Sequence, residues 1–133
     1  MTSKVIYTGS LRTEAEHLKS GAKIITDAPT DNHGKGEAFS PTDSVATALA
    51  SCMLTVMGIK AEDLKVSLKG TTAEVTKTMA ANPRRISKVE ITITFPETYS
   101  EKLQKILEHS ARTCPVLESL HPDMEKVITF NYL

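Results

Sequence analysis

The sequence predicts an α+β domain, and three features carry that expectation. A nearly charge-free run from Val45 to Ile59 has helical spacing, and Val89–Phe95 alternates apolar and polar residues as a half-buried strand does. Leu103, Ile106 and Leu107 then mark the apolar stripe of a second, amphipathic helix. Strand clusters around an apolar helix belong to the α+β class. At 133 residues, a single domain is expected to span residues 1–133.

Along the chain, residues 3–8 and roughly 11–18 read as short strands around a turn at Gly9 and Ser10. The stretch TEAEHLKS also suits a helix, because Glu14, Ala15, Glu16, Leu18 and Lys19 all favour one. A further strand is expected over Ala22–Thr26, followed by a surface loop, Asp27–Glu37, rich in Pro, Asn and Gly. Ser40-Pro41-Thr42-Asp43 reads as a helix start, with Ser40 as cap, Pro41 in the first helical position and Asp43 as the acidic member of a capping box. Val45, Leu49, Cys52, Met53, Val56 and Met57 continue this helix. A helix so apolar around its circumference is expected to be central and buried. Charges return at Lys60, Glu62 and Asp63, where it should end.

Two strands follow, Lys65–Thr78 and Ile86–Phe95, joined near Asn82-Pro83. Ser100 caps the amphipathic helix, and Cys114-Pro115 opens a shorter one. Ile128, Phe130 and Tyr132 lie on one face of a closing strand.

The 16 basic and 16 acidic side chains cancel, so no long-range field draws the protein to nucleic acid or an anionic membrane. No signal-peptide pattern is visible in MTSKVIYTGSLRTEAEH, and no uninterrupted apolar stretch nears the roughly 18 residues of a membrane span. A reducing cytoplasm is the expected compartment. Two cysteines there are core residues, metal ligands or redox groups more often than a structural disulfide.

Spacing alone makes Cys52 a residue of a buried helical stripe, where thiols are commonly inert. A reactive Cys52 would need a cation from elsewhere, since burial suppresses the thiolate and the helix N-terminus is three turns away. Cys114 precedes Pro115 at a helix start, so its sulfur should face unpaired backbone N–H groups, which favour a thiolate. The four histidines (17, 33, 109 and 121) are scattered, and no C-x-x-C or H-x-x-x-H spacing implies zinc. Neither a G-x-S-x-G elbow nor a Walker pattern is present, and the GKGE stretch at 34–37 lacks the latter's Lys-Ser/Thr.

FSPTDSVATALASCMLTVMGIKA places a cysteine eleven residues after a helix-initiating proline, and ARTCPVLESL sets a second cysteine before the proline of a later helix. In these motifs and their order the chain resembles the OsmC/Ohr family of osmotically inducible and organic hydroperoxide resistance proteins. The resemblance implies an OsmC-like fold, antiparallel strands around a long buried central helix in an intertwined homodimer. It also implies reduction of organic hydroperoxides, and less effectively hydrogen peroxide, with Cys52 as peroxidatic and Cys114 as resolving thiol. A dithiol such as a lipoyl protein would be the reductant, and no resident cofactor or metal is implied. Arg12, in GSLRTE, matches the family's thiolate-stabilising arginine. The carboxylate that usually pairs with it follows the helix-starting proline, where this chain has Thr42. Asp43, the next residue, is the candidate replacement, alongside its capping role. The alternative is a non-enzymatic member that holds a small apolar ligand in the interfacial pocket.

Overall fold

A computed structural model describes residues Met1–Leu133. The chain divides into two compact units, Met1–Val45 and Ala46–Leu133.

In the first unit, β1 (Ser3–Gly9), β2 (Arg12–His17) and β3 (Lys23–Asp27) form an antiparallel sheet in that order. The strand reading of Thr13–His17 therefore prevails over its helical propensity, because pairing on both sides satisfies its backbone. The β1–β2 turn is tight, with a bulge-like register shift after Tyr7 and left-handed backbone at Gly9, Ser10 and Leu11 (φ 92°, 54° and 63°). Val5, Ala15 and Ile24 align on one face, and Ile6, Glu14 and Ile25 on the other. The segment after β3 includes a 3-10 turn at Thr30–Asn32. It folds back so that the Gly34 and Gly36 amides donate to the carbonyls of Pro29 and Ala28 at 2.9 and 3.2 Å. A side chain at Gly34 would run into the Ala28 carbonyl, which gives the GKGE stretch a packing role.

α1 (Pro41–Asp63) begins with the predicted capping box. The Asp43 amide donates to Ser40 Oγ, and the Ser40 amide donates to Asp43 Oδ2, both at 3.0 Å.

In the second unit, β4 (Thr72–Ala80), β5 (Arg85–Phe95) and β6 (Glu125–Tyr132) form a sheet ordered β4-β5-β6. β4 and β5 are antiparallel, whereas β6 runs parallel to β5 after the chain crosses through α2 (Glu101–Ala111) and α3 (Pro115–Ser119). β4 starts seven residues later than its sequence suggested. Left-handed backbone at Lys65 and Gly70 and a Thr71-to-Leu68 turn bond keep the apolar Val66 and Leu68 in a bent connection.

Val89, Ile91, Ile93 and Phe95 of β5 are buried with Leu49, Met53 and Met57 of α1 and Leu107 and Ala111 of α2. Within the chain, burial of α1 follows one stripe, Ala46, Leu49, Ala50, Met53, Met57 and Ala61. The opposite stripe, Val45, Ala48, Ser51, Thr55 and Ile59, is exposed. α1 is also long and apolar enough to cross a membrane by length and composition, which the shorter Val45–Ile59 run had not suggested. Core helices meet the same criterion, and α1 has a core stripe. At the far end of the sheet Tyr132 stacks on Phe95 with ring centroids 4.7 Å apart, and its hydroxyl donates to Glu108 Oε2 at 2.7 Å. That contact ties β6 to α2, and burial with Glu108 holds the phenol protonated well above its ordinary range.

Candidate active site

Cys52 and Cys114 both belong to the second unit, and both are free thiols. Cys52 lies midway along α1, half-buried against the core. Cys114 is fully buried at the start of α3. Its position follows from local sequence: Pro115 occupies the first helical position, and Cys114 Sγ accepts the Leu117 amide at 3.3 Å as the helix cap.

That cap does not make Cys114 a thiolate. Burial pushes its pKa up first, and the neighbouring Cys52 thiol adds to the rise. The Leu117 and Val116 amides pull the other way without prevailing. The expectation that helix-start N–H groups would ionise Cys114 is thus corrected, because desolvation outweighs them. Cys52 is half-buried, and Cys114 is enclosed with its pKa raised. Such a pair can shuttle between two thiols and a disulfide.

Arg12 and Asp43 belong to the first unit. Arg12 faces Asp27 across the β2–β3 register, and its Nε and Nη2 donate to Asp27 Oδ1 and Oδ2 at 2.7 and 2.8 Å. Asp27 is 2% exposed, the Arg12 side chain 34%. The guanidinium, followed by the Glu37 amide and the charge of Lys35, holds the Asp27 carboxyl below its ordinary range against the opposing effect of burial. The bond to Asp27 in turn raises the Arg12 pKa. Asp43 sits in the capping box, and the Thr42 hydroxyl lies 3.2 Å from Ser40 Oγ. Asp27 is the residue sequence reasoning missed. It had been placed as the first residue of a loop, whereas one more residue of strand sets it opposite Arg12.

His17 Nδ1 pairs with Ser20 Oγ at 2.6 Å, and His121 Nδ1 accepts the Asp123 amide at 3.0 Å. No three His, Cys, Asp or Glu side chains are grouped to hold a metal ion. An open depression of about 500 Å³ lies between α1 and the bend that follows it, lined by Leu54, Gly58, Ala61, Val66 and Leu68, among others, and by neither cysteine.

Comparison with known proteins bears on the family and the fold. The family model described as OsmC-like protein matches residues 34–127. A crystal structure from Psychrobacter arcticus 273-4, provisionally named an osmotic stress induced and detoxification response protein, is 60% identical with a TM-score of 0.95, over 98% of this chain and 95% of that one. An organic hydroperoxide resistance protein from Elizabethkingia anophelis shares the fold at 15% identity and a TM-score of 0.77, over 100% of this chain and 97% of that one. An OsmC from Legionella pneumophila, also described as an organic hydroperoxide resistance protein, does so at 16% and 0.76, over 98% and 97%. Among curated proteins none matches. The α+β architecture, the two cysteine motifs and these likenesses together make the chain a member of the OsmC-like family.

Proposed function

We propose that the protein is a thiol-dependent hydroperoxide reductase of the cytoplasm, acting on organic hydroperoxides and less effectively on hydrogen peroxide. The observation that carries this reading is the placement of both thiols at one core, Cys114 within it and Cys52 packed against it. A half-buried cysteine can be reached by a peroxide, and an enclosed thiol of the same core can resolve the product.

In the proposed cycle the Cys52 thiolate attacks one peroxide oxygen. The S–O bond forms, the O–O bond breaks, and the departing alkoxide takes a proton and leaves as the alcohol. Cys114 sulfur then attacks the sulfenic acid, giving the disulfide and water. A dithiol, a lipoyl protein or a similar small carrier, reduces that disulfide by exchange and is itself oxidised. Arg12 is assigned the pairing with thiolate or peroxide oxygen, for which a guanidinium is suited because it stays charged and offers directed N–H donors. Asp43 holds the start of α1 in this scheme.

Two copies of the chain are proposed to form the working unit. In the first sheet Val5, Tyr7 and Ile24 are 61%, 63% and 64% exposed on a face without charged side chains. The Val45–Ile59 stripe of α1 is similarly open. Three-stranded sheets need a covered apolar face for stability, and a second copy would supply the cover.

The deciding assay is dithiol-dependent consumption of t-butyl hydroperoxide by purified protein. Cys52→Ser should abolish turnover, and Cys114→Ser should arrest it with oxidised Cys52. Absence of consumption by protein with both thiols intact would overturn the reading. Light scattering should give twice the chain mass.

A further inference from the structure

We infer that the reducing dithiol enters the Cys52–Cys114 disulfide at the Cys52 sulfur, and that the backbone N–H of Leu117 receives the departing Cys114 sulfur. The inference deepens the function proposed above and rests on it for the disulfide as the species to be reduced.

Access decides which sulfur is attacked. Thiol–disulfide exchange is a substitution at sulfur, with the incoming thiolate in line with the bond that breaks. Attack on Cys114 would have to come from the side facing away from Cys52. Cys114 is 0% exposed and belongs to the buried core with Leu107 and Ala111. Val116 and Leu117 of its own helix are packed against that core. An interior at ordinary protein density has no passage for a carrier thiol. Cys52 is placed differently. It lies on the flank of α1, with buried Leu49 and Met53 to one side and exposed Ser51 and Thr55 to the other, and is itself half-buried.

Leaving-group chemistry points the other way, and the cap of α3 offsets it. A thiol of raised pKa is the poorer leaving group, and burial raises that of Cys114. That preference alters a rate, whereas a closed approach removes a route. The charge that develops on Cys114 sulfur as the S–S bond breaks also meets a donor already in place. The Leu117 amide donates to this sulfur at 3.3 Å, and the Val116 amide also favours its ionised form. Both are first-turn amides with no carbonyl partner inside the helix. Their pull strengthens as the charge grows and needs no rearrangement at that moment.

In this exchange the carrier thiolate bonds to Cys52 sulfur, the electron pair of the S–S bond passes to Cys114 sulfur, and Cys114 takes a proton. The carrier's second thiol then attacks the carrier sulfur of the mixed disulfide. That closes the carrier disulfide and releases Cys52 as thiolate. Burial favours the protonated form of Cys114, which slows its return attack on the mixed disulfide.

The test starts from the full chain oxidised to the internal disulfide with diamide. Glutathione, a monothiol that forms a mixed disulfide but closes no ring, is added for short times, then quenched with acid and N-ethylmaleimide. The two cysteines fall in separate tryptic peptides, residues 36–60 and 113–126. Mass spectrometry should find glutathione on Cys52 and maleimide on Cys114, in roughly tenfold or greater excess over the reverse, because reach sets the choice. Glutathione on Cys114, or on both in similar amounts at the earliest times, would overturn the inference.

Leu117→Pro removes the N–H and Leu117→Ala keeps it, while both lose the side chain. Reduction of the disulfide by dithiothreitol should be roughly tenfold slower in the proline variant, the scale of one hydrogen bond to a charged group. Equal rates would overturn the role of the Leu117 amide. If the proline variant lacks a cooperative melting transition, the Leu117 amide resonance in Cys52→Ser protein replaces it. It should shift as Cys114 ionises, and a resonance that stays fixed through that titration overturns the role. Failure of diamide to join the two sulfurs overturns the inference outright. A disulfide opened at Cys52 in a protein that consumes no peroxide would refute the peroxidase reading and leave the inference standing.

Discussion

The sulfur of Cys114 accepts the backbone amide of Leu117 at 3.3 Å, so the proposed resolving thiol is also the cap of α3. Structure and chemistry meet in one atom. Substitutions at this position therefore separate into those that keep an acceptor and those that do not.

Cys114→Ser retains a capping oxygen, whereas Cys114→Ala removes the acceptor. Loss of a good cap typically costs about 1 kcal/mol. Urea denaturation should place the alanine variant about 1 kcal/mol below the serine variant, although neither can form a disulfide with Cys52. Coincident midpoints would show that the cap bond contributes nothing.

Alkaline stability gives a second expectation. In the folded protein the Cys114 pKa lies above its ordinary value of 9.0, chiefly through burial. A group raised in this way contributes stability that is complete below the unfolded value and is lost as pH rises through the folded one. The melting temperature of reduced protein should therefore fall as pH climbs past about 9, and Cys114→Ser should fall less steeply. Parallel curves would refute the assignment.

At the acid end the sign reverses. The folded Asp27 pKa lies below its ordinary value of 3.8 because Arg12 holds the ionised form. Its contribution is present above the unfolded value and is lost as pH falls through the folded one. Acid unfolding of Asp27→Asn should lack this component, visible as a shallower loss of melting temperature below about pH 4.

Packing supplies the fourth prediction. Leu107 is completely buried between α2 and the sheet core, and Lys105 on the same helix is exposed. Leu107→Ala should cost about 2–5 kcal/mol, the range for a truncated core leucine. Lys105→Ala should stay within about 0.5 kcal/mol in the same denaturation experiment.

How much of this was legible in the sequence differs by element. The α1 start was fully legible, because Ser40, Pro41 and Asp43 encode a local motif whose bonds involve only near neighbours. The alternation from Val89 to Phe95 was equally plain, since burial on one sheet face repeats every two residues. The parallel placement of β6 was not, because nothing in Glu125–Tyr132 records which way its neighbour runs. Cys114 was located correctly but its protonation misjudged: the amides that cap it are visible in sequence, and the enclosure that overrides them is not. Asp27 was missed for a related reason. A strand end moves by one residue without altering the local pattern, yet that residue decides whether a carboxylate faces Arg12 or solvent.

β4 and β5 can zip together across a short hairpin, but β6 reaches β5 only after α2 and α3 have carried the chain back across the sheet. Such non-local pairing closes slowly compared with a hairpin. Cys114 rides on that crossover, at the junction of its two helices. The two thiols thus reach the core by different routes, Cys52 on a helix built from local contacts and Cys114 on the slower, non-local crossover.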